Sequence, residues 1–275
     1  MRYIFMITFS LTYIFHDCFI LRSDKAVVVF DFWKRPEGWL PLSPFAGASP
    51  LSQADRDKTV YVLVSHFHKD HYNKEIFSWS SIFPNIRYII SKDVARHARH
   101  IISPGSLYSG PRPAPGSVTV LAPGESFTDD LLSVDAFDST DIGNSYVVTL
   151  LGSSFFHAGD LNAWIWKDES TEKEVEAARN AFLSILKPIR TKYPRLDLAM
   201  FPVDSRIGTD FQEGARLLLR NIVVERFLPM HFCLGDTPDM CARLRRDALD
   251  FRSYAPSGYA PLFAGLTSPG DSIAW

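Results

Sequence analysis

Cysteine is scarce in this chain, and the few present do not pair off. Cys18, Cys233 and Cys241 stand at irregular spacing among 275 residues. An odd, sparse set excludes a disulfide framework and fits a reducing compartment. A cationic surplus is also missing. The net charge is −2, whereas a nucleic-acid-binding chain shows a basic excess. The one dense basic run, Arg243 with Arg245 and Arg246, is followed directly by Asp247. No nucleic-acid partner is expected. No charge-free apolar run reaches the roughly 20 residues of a membrane span. Residues 1–20 come nearest, but His16 and Asp17 interrupt them and no small-residue cleavage site follows. Their aromatic and β-branched content reads as strand rather than signal peptide, with the first few residues an extension. The expected location is the cytoplasm, off the membrane. Fixed-period repeats and a clear linker are absent too, so residues 1–275 read as a single domain. The oligomeric state leaves no mark on the sequence.

What is present is a globular composition, 46% hydrophobic and 22% charged. Strands fill the first section up to Asp31, with residues 22–25 as the turn before a strand at Ala26–Phe30. A long proline- and glycine-rich loop at 33–50 follows. Thr59–Val64 is short, β-branched and almost wholly apolar, the pattern of a buried strand. Another strand at 85–90 leads to Ser91, which caps a helix over 92–101. Residues 103–115 are a surface loop. Strands are expected at 117–121, Leu132–Phe137, Ser145–Leu150 and 154–157. Thr171 and Glu174 form a capping-box pair ahead of the longest helix. Val175, Ala178, Phe182 and Ile185 give that helix one apolar face, and Pro188 ends it. A strand at 196–203 precedes a second capping-box pair, Asp210 and Glu213, with a helix to about Asn221. A strand at 223–228 delivers Pro229-Met230-His231. Thr237 and Pro238 open the last helix. Strands alternating with helices suggest sheets packed inside helical layers, an α/β (α+β) protein.

The chemistry is concentrated at residues 65–71, Ser-His-Phe-His-Lys-Asp-His. Three imidazoles and a carboxylate fall within six positions, and zinc takes both donor types. Residues two apart on extended chain point the same way, so His66 and His68 can grip one ion together. After the turn, Asp70 and His71 leave in another direction and can serve a second ion. Lys69 is expected to point away, since a cation beside the metals is unfavourable. A histidine-rich surface loop is the plainer alternative, but four metal-type residues straight after a buried strand argue against it.

This H-x-H-x-D-H pattern resembles the metallo-β-lactamase superfamily over nearly the whole chain. The resemblance implies a four-layer αββα sandwich with one or two metal ions at one edge. Residues 153–160, SSFFHAGD, are similar to the family's strand-then-Gly-Asp step, which makes Asp160 the bridging carboxylate. Residues 223–231 match the final strand that ends in a metal histidine, which sets His231 with Asp70 and His71. Taken alone, Asp160 is a turn aspartate and His231 a core or capping histidine. One family element is missing: the histidine usually found between the motif and the Gly-Asp step. Residues 137–146 contain none. Asp141 is the nearest oxygen ligand, with Asp138 behind it. A harder ligand tilts preference from zinc toward manganese or iron.

Other residues keep two readings. Asp204 and Arg206 follow a strand end, where substrate-facing groups often sit; Arg206 can bind an anionic substrate group, or the two are a surface pair. Trp164 and Trp166 wall the site or fill the core. His157 orients a ligand or packs. His16 sits where related proteins carry a turn near the site. Cys233 is a ligand or, more simply, a buried apolar thiol. His97 and His100 read as a solvated helix face. The function implied is metal-dependent hydrolysis of an ester, lactone, thioester or phosphodiester in a small molecule. Asp70 ligates metal and orients the attacking water. The alternative is a non-catalytic metal-binding or ligand-sensing protein of the same fold.

Overall fold

The computed structural model describes residues 8–37 and 51–275. The start of the N-terminal apolar run and most of the 33–50 loop lie outside the described residues. The chain divides into two compact units, one reaching Val120 and regaining Leu266–Trp275, the other Leu121–Gly265.

The first unit carries β1 (Ser10–Phe15), β2 (Cys18–Arg22), β3 (Ala26–Phe30), β4 (Thr59–Val64), β5 (Ile86–Ser91) and β6 (Val118–Leu121), the last reaching the division between the units. Helices α1 (Lys92–His97) and α2 (Arg99–Ile102) follow β5, and the C-terminal β14 (Ser272–Ala274) returns to pair with β1. The sheet order is β14-β1-β2-β3-β4-β5-β6. β3, β4 and β5 run parallel. Every residue of β3 is buried, as are the last five of β4. Parallel strands covered on both faces read as continuous apolar runs, which is why AVVVF and TVYVLV lack alternation. Their valines pack with Ile76, Phe77, Trp79 and Tyr88 in one core cluster. Three parallel strands place three carboxyl ends along one sheet edge, and these ends carry Asp31, Ser65 and Ser91.

The second unit carries β7 (Ser126–Thr128), β8 (Leu132–Phe137), β9 (Ser145–Leu150), β10 (Ser153–His157), β11 (Arg195–Pro202), β12 (Val223–Met230) and β13 (Leu262–Phe263). Its helices are α3 (Glu172–Lys192), α4 (Glu213–Asn221) and α5 (Pro238–Leu249). The sheet order is β13-β12-β11-β10-β9-β8-β7, with β10, β11 and β12 parallel. Their carboxyl ends deliver Asp160, Asp204 and His231.

Several local expectations meet the structure unchanged. β4, β8 and β9 have the predicted bounds. Ser91 caps α1 by accepting from the Val94 N–H, Thr171 and Glu174 close a capping box, and Thr237 caps α5. Four details differ. The first apolar run folds back on itself, β1 against β2, with His16 and Asp17 between them. The helix expected over 92–101 breaks at Ala98, whose carbonyl accepts from Ile101 N and Ile102 N; the break keeps Val94, Ala98 and Ile101 all buried. Pro188 lies inside α3 rather than ending it. Its ring is on the exposed side, while buried Ile189 and the bonds Tyr193 N to Ile189 O and Thr191 Oγ1 to Lys187 O hold the last turn. Asp210 does not cap α4: its carboxylate pairs with Lys167, and Gln212 takes the cap position without a side-chain bond. Among the described residues, no helix is long and apolar enough to cross a membrane.

One buried carboxylate ties the first unit's sheet to the chain ahead of β4. Asp55, 2% exposed, accepts from Arg22 Nε at 3.2 Å and Ser52 N at 3.0 Å. Removing one partner of a buried pair strands the other charge, at about 3 kcal/mol. Asp55→Ala should therefore lower unfolding free energy by about that amount in urea titration, and a loss under about 0.5 kcal/mol, the size of an exposed pair, would contradict the assignment.

Candidate metal centre

In the first unit the motif loop leaves β4 and is held by Asp31. Asp31 sits just past β3 at φ 43°, a left-handed conformation rare for a residue with a side chain. It is 1% exposed, and its carboxylate accepts three hydrogen bonds: Ser65 N at 2.7 Å, Ser65 Oγ at 2.5 Å and His71 Nδ1 at 2.8 Å. The Ser65 hydroxyl donates to Asp31 and accepts from His66 Nδ1 at 3.0 Å. Both rings are thus protonated at Nδ1, which leaves the Nε2 lone pair of His66 and of His71 to serve as a ligand. His66 Nε2 lies 3.0 Å from His68 Nδ1. His71 N and Tyr72 N both donate to His68 O, which turns the chain so that Asp70 leaves at a different angle. Lys69 is exposed, as expected.

The β1–β2 turn adds two more groups. His16 (φ 58°) and Asp17 are fully buried. Asp17 Oδ2 lies 3.3 Å from His71 Nε2 and 3.2 Å from His16 Nε2. His16 Nε2 is also 3.6 Å from Asp70 Oδ2.

In the second unit His231 stands at φ 67° at the end of β12. Its Nδ1 donates to Asp204 Oδ2 at 2.9 Å, so Nε2 carries the lone pair, 3.3 Å from Asp160 Oδ1. Asp204 is 1% exposed and is clamped by Arg206, Nε to Oδ2 at 2.8 Å and Nη2 to Oδ2 at 2.5 Å. Burial works to raise the Asp204 carboxyl, but hydrogen bonds from His231 and Arg206, with the charge of Arg206, outweigh it and hold it well below the usual carboxylate range. Asp160 follows Gly159 at the end of β10, and its carbonyl accepts from Trp164 Nε1 at 2.7 Å. Carboxylate oxygens of Asp160 and Asp141 lie within 4.8 Å of one another.

These spacings bear on whether the donors fit a metal. Zinc bonds of 2.0–2.1 Å in a tetrahedron separate neighbouring ligand atoms by about 3.3 Å. Within the units, His66–His68, His71–Asp17 and Asp160–His231 lie at 3.0, 3.3 and 3.3 Å. Donors at that spacing, with their rings oriented by buried carboxylates, suit a divalent cation. Buried carboxylates are otherwise costly unless matched by opposite charge.

No protein-family model and no curated protein matches the chain. Solved structures do. Igni18, a metallo hydrolase from the hyperthermophilic archaeon Ignicoccus hospitalis, superposes with TM-score 0.59 at 15% identity, covering 98% of each chain. YhfI from Bacillus subtilis, a metallo-β-lactamase fold protein, gives 0.53 at 10% identity, over 98% of this chain and 100% of its own. The chain has the metallo-β-lactamase fold. CmlA, a diiron β-hydroxylase from Streptomyces venezuelae, gives 0.56 at 13% identity, over 97% of this chain and 54% of its own. Identities this low speak for the fold and not for the chemistry hosted on it.

Within this metallo-β-lactamase fold, the first unit gathers His66, His68, Asp70 and His71, and the second gathers Asp141, Asp160 and His231. Asp204 and Arg206 are engaged with each other and with His231, so Asp204 orients an imidazole. Trp164 places its ring edge-on to His231 at 5.4 Å, whereas Trp166 is 44% exposed. His157 is buried, its Nδ1 accepting from Gly159 N. Cys233 is buried, and its carbonyl accepts from Cys241 Sγ. His97 is exposed but not merely solvated: it stacks on Phe67 at 3.7 Å. Sequence reasoning passed over Asp31 and gave Asp17 no role. A carboxylate directly after the buried run AVVVF was the available signal for Asp31, since groups at parallel strand ends face the functional edge.

Two outcomes follow. Asp31→Asn keeps the side chain's shape but removes the charge that orients His66 and His71, and should weaken metal affinity about 10–100-fold in a chelator competition assay; unchanged affinity would show that Asp31 is only packing. The Asp204 carboxyl is lower in the folded than in the unfolded state, where about 3.9 applies. Its stabilisation is therefore present above that pH and is lost as pH falls through the folded value. In chelator-treated protein, Asp204→Asn should be less stable than wild type near pH 7, and the gap should narrow steadily below about pH 4. A gap independent of pH would refute this.

Proposed function

We propose that the protein is a metal-dependent hydrolase that directs water onto an ester, lactone, thioester or phosphodiester in a small molecule. The observation that carries this reading is the pairing, in each unit, of a buried carboxylate on an imidazole Nδ1 with that ring's Nε2 set against a second carboxylate. In this reading the ligands are His66, His68, Asp70, His71, Asp160 and His231. Asp141 substitutes for the family's missing histidine, and Asp17 joins the set. One or two zinc ions fit the imidazoles; manganese or iron fits the carboxylate share. When bound, such a cation supplies Lewis acidity and makes water acidic enough to attack at neutral pH. The chain's own part is distinct. Asp31 and Asp204 hold the imidazoles in the ligating tautomer. Asp70, with its side chain 25% exposed, differs from fully buried Asp17 in being reachable by solvent. It is the group placed to orient the incoming water and accept its proton. Trp164 limits water near His231.

A redox reading has one specific support, the carboxylate-rich donor set together with the fold shared with a diiron hydroxylase. Iron content with substrate-dependent oxygen uptake would favour it. For hydrolysis, protein purified without added metal should carry about one to two equivalents of zinc, manganese or iron. His68→Ala should lose metal and drop kcat/KM by about 100-fold or more on whichever ester, lactone, thioester or phosphodiester is turned over. Unchanged metal content in that variant would remove His68 from the ligand set. Tight metal with no turnover across the panel would leave a metal-binding or sensing role instead.

A further inference from the structure

Outside the candidate ligands, α1 and α2 carry a second cluster of cationic side chains. Arg96, His97, Arg99, His100, Ser103 and Ser106 line an open depression of about 430 Å³. No acidic side chain is among them. Asp93, the acid nearest in sequence, is turned to the motif loop, where its Oδ2 accepts from Phe67 N at 2.9 Å. Among the described residues neither Arg96 nor Arg99 has an ion-pair partner, while most other arginines of the first unit do or are bound to carbonyls, as Arg22, Arg35 and Arg112 are. Arg96 and Arg99 line the same depression from either side of the Ala98 break, and an anion seated there would offset their like charge.

The wall of the depression is built rather than loose. Ser106 Oγ donates to His100 O, and His100 stands edge-on to Tyr108 at 5.5 Å. Arg112 donates to the carbonyls of Ser103, Ser106 and Tyr108, which fixes the far rim. The depression also adjoins the motif loop, because the His97 ring stacks on Phe67 with planes 14° apart. Phe67 lies between His66 and His68 in sequence.

We propose that this depression binds a tetrahedral oxyanion, a phosphoryl group above all. Two guanidinium forks can each offer paired N–H donors to phosphate oxygens, a geometry a lone ammonium cannot supply. The two imidazoles add ring N–H donors. The small size and only two arginines fit a compact anion; a polynucleotide needs an extended basic track, and the chain's net charge is −2. Oxyanion binding stands independently of hydrolysis; only its use as a handle for the substrate rests on the hydrolase reading.

The test is titration of the full-length protein with inorganic phosphate, followed by imidazole 15N–1H spectra that resolve His97 and His100, with acetate as comparison anion. Saturable shifts of both rings are expected, with a Kd on the order of 1 mM or below, and weaker binding of acetate. Arg96→Ala/Arg99→Ala should weaken phosphate at these signals about tenfold or more. The charge-matched control Arg220→Ala/Arg252→Ala should leave it unchanged. Absent or non-saturating shifts, equal weakening in both double variants, or tighter binding of a thymidine oligomer than of phosphate would each overturn the proposal. Because these signals report binding and not turnover, a failed hydrolase panel leaves the result readable.

Discussion

In the first unit the cluster of candidate ligands depends on one carboxylate. Asp31 accepts from Ser65 N, Ser65 Oγ and His71 Nδ1, and through Ser65 it also sets His66. A buried carboxylate left unmatched is expensive, and three charge-assisted bonds offset that cost. The position itself is strained, at φ 43°. Such strain persists only where surroundings over-determine it, and the surroundings here are the ends of two parallel strands held in register. Moving Asp31 by one residue along β3 would turn its side chain to the other face of the sheet. His71 then stands between two carboxylates, Asp31 at Nδ1 and Asp17 at Nε2, so negative charge accumulates at a place only a cation or a proton can relieve.

The second unit solves the same problem with different neighbours. Asp204 at the end of β11 meets His231 Nδ1 at 2.9 Å, against 2.8 Å for Asp31 and His71. Each ring turns its Nε2 outward toward another carboxylate. The supports differ: Ser65 completes Asp31, whereas Arg206 completes Asp204 with a full positive charge. An arginine fork is a stiffer partner than a hydroxyl, and it fixes the Asp204 plane as well as its charge state. The guanidinium also donates to Leu234 O, which ties the chain after His231 to the same clamp. The residue forced to positive φ is the carboxylate in one unit and the imidazole in the other. In both, the backbone bends where the strand must end so that the side chain can face the edge.

How much of this was legible in the sequence follows from what each signal encodes. Buried parallel strands announce themselves by composition, so β4 was found to the residue. Helix starts depend on a side chain meeting a backbone N–H two or three residues on, so Ser91, Thr171 and Thr237 were readable. Helix ends depend on tertiary packing, and there the reading failed. Ile189 is buried, and that burial carries α3 through Pro188. Asp210 had a helix-capping sequence but a tertiary partner, Lys167, that took its carboxylate. The motif His66 to His71 and the later Asp160 and His231 were visible because their order along the chain is itself the signal. Asp31 and Asp17 were not, since a single aspartate after a strand or in a tight turn has an ordinary local explanation. Their roles come from which strands lie side by side, and that is a property of topology.

The donor set also limits which metal chemistry the fold can host here. Soft thiolate ligation would favour monovalent copper or iron–sulfur clusters. Burial, then Asp31 and Asp17, push the Cys18 thiol well above its ordinary value, and among the described residues no cysteine joins the groups that could hold an ion. Cys233 is buried beyond His231, and the thiol of Cys241 is spent on backbone carbonyls. What remains is imidazole and carboxylate alone. Imidazoles by themselves would point to zinc, and carboxylates by themselves to manganese or magnesium. The proposed mixed set of imidazoles and carboxylates sits between, in the range shared by zinc, manganese and iron. On the proposed ligand set, Asp141 would add a harder donor beside the oriented imidazoles, and the carboxylates would set how strongly the ion draws electrons from what it holds.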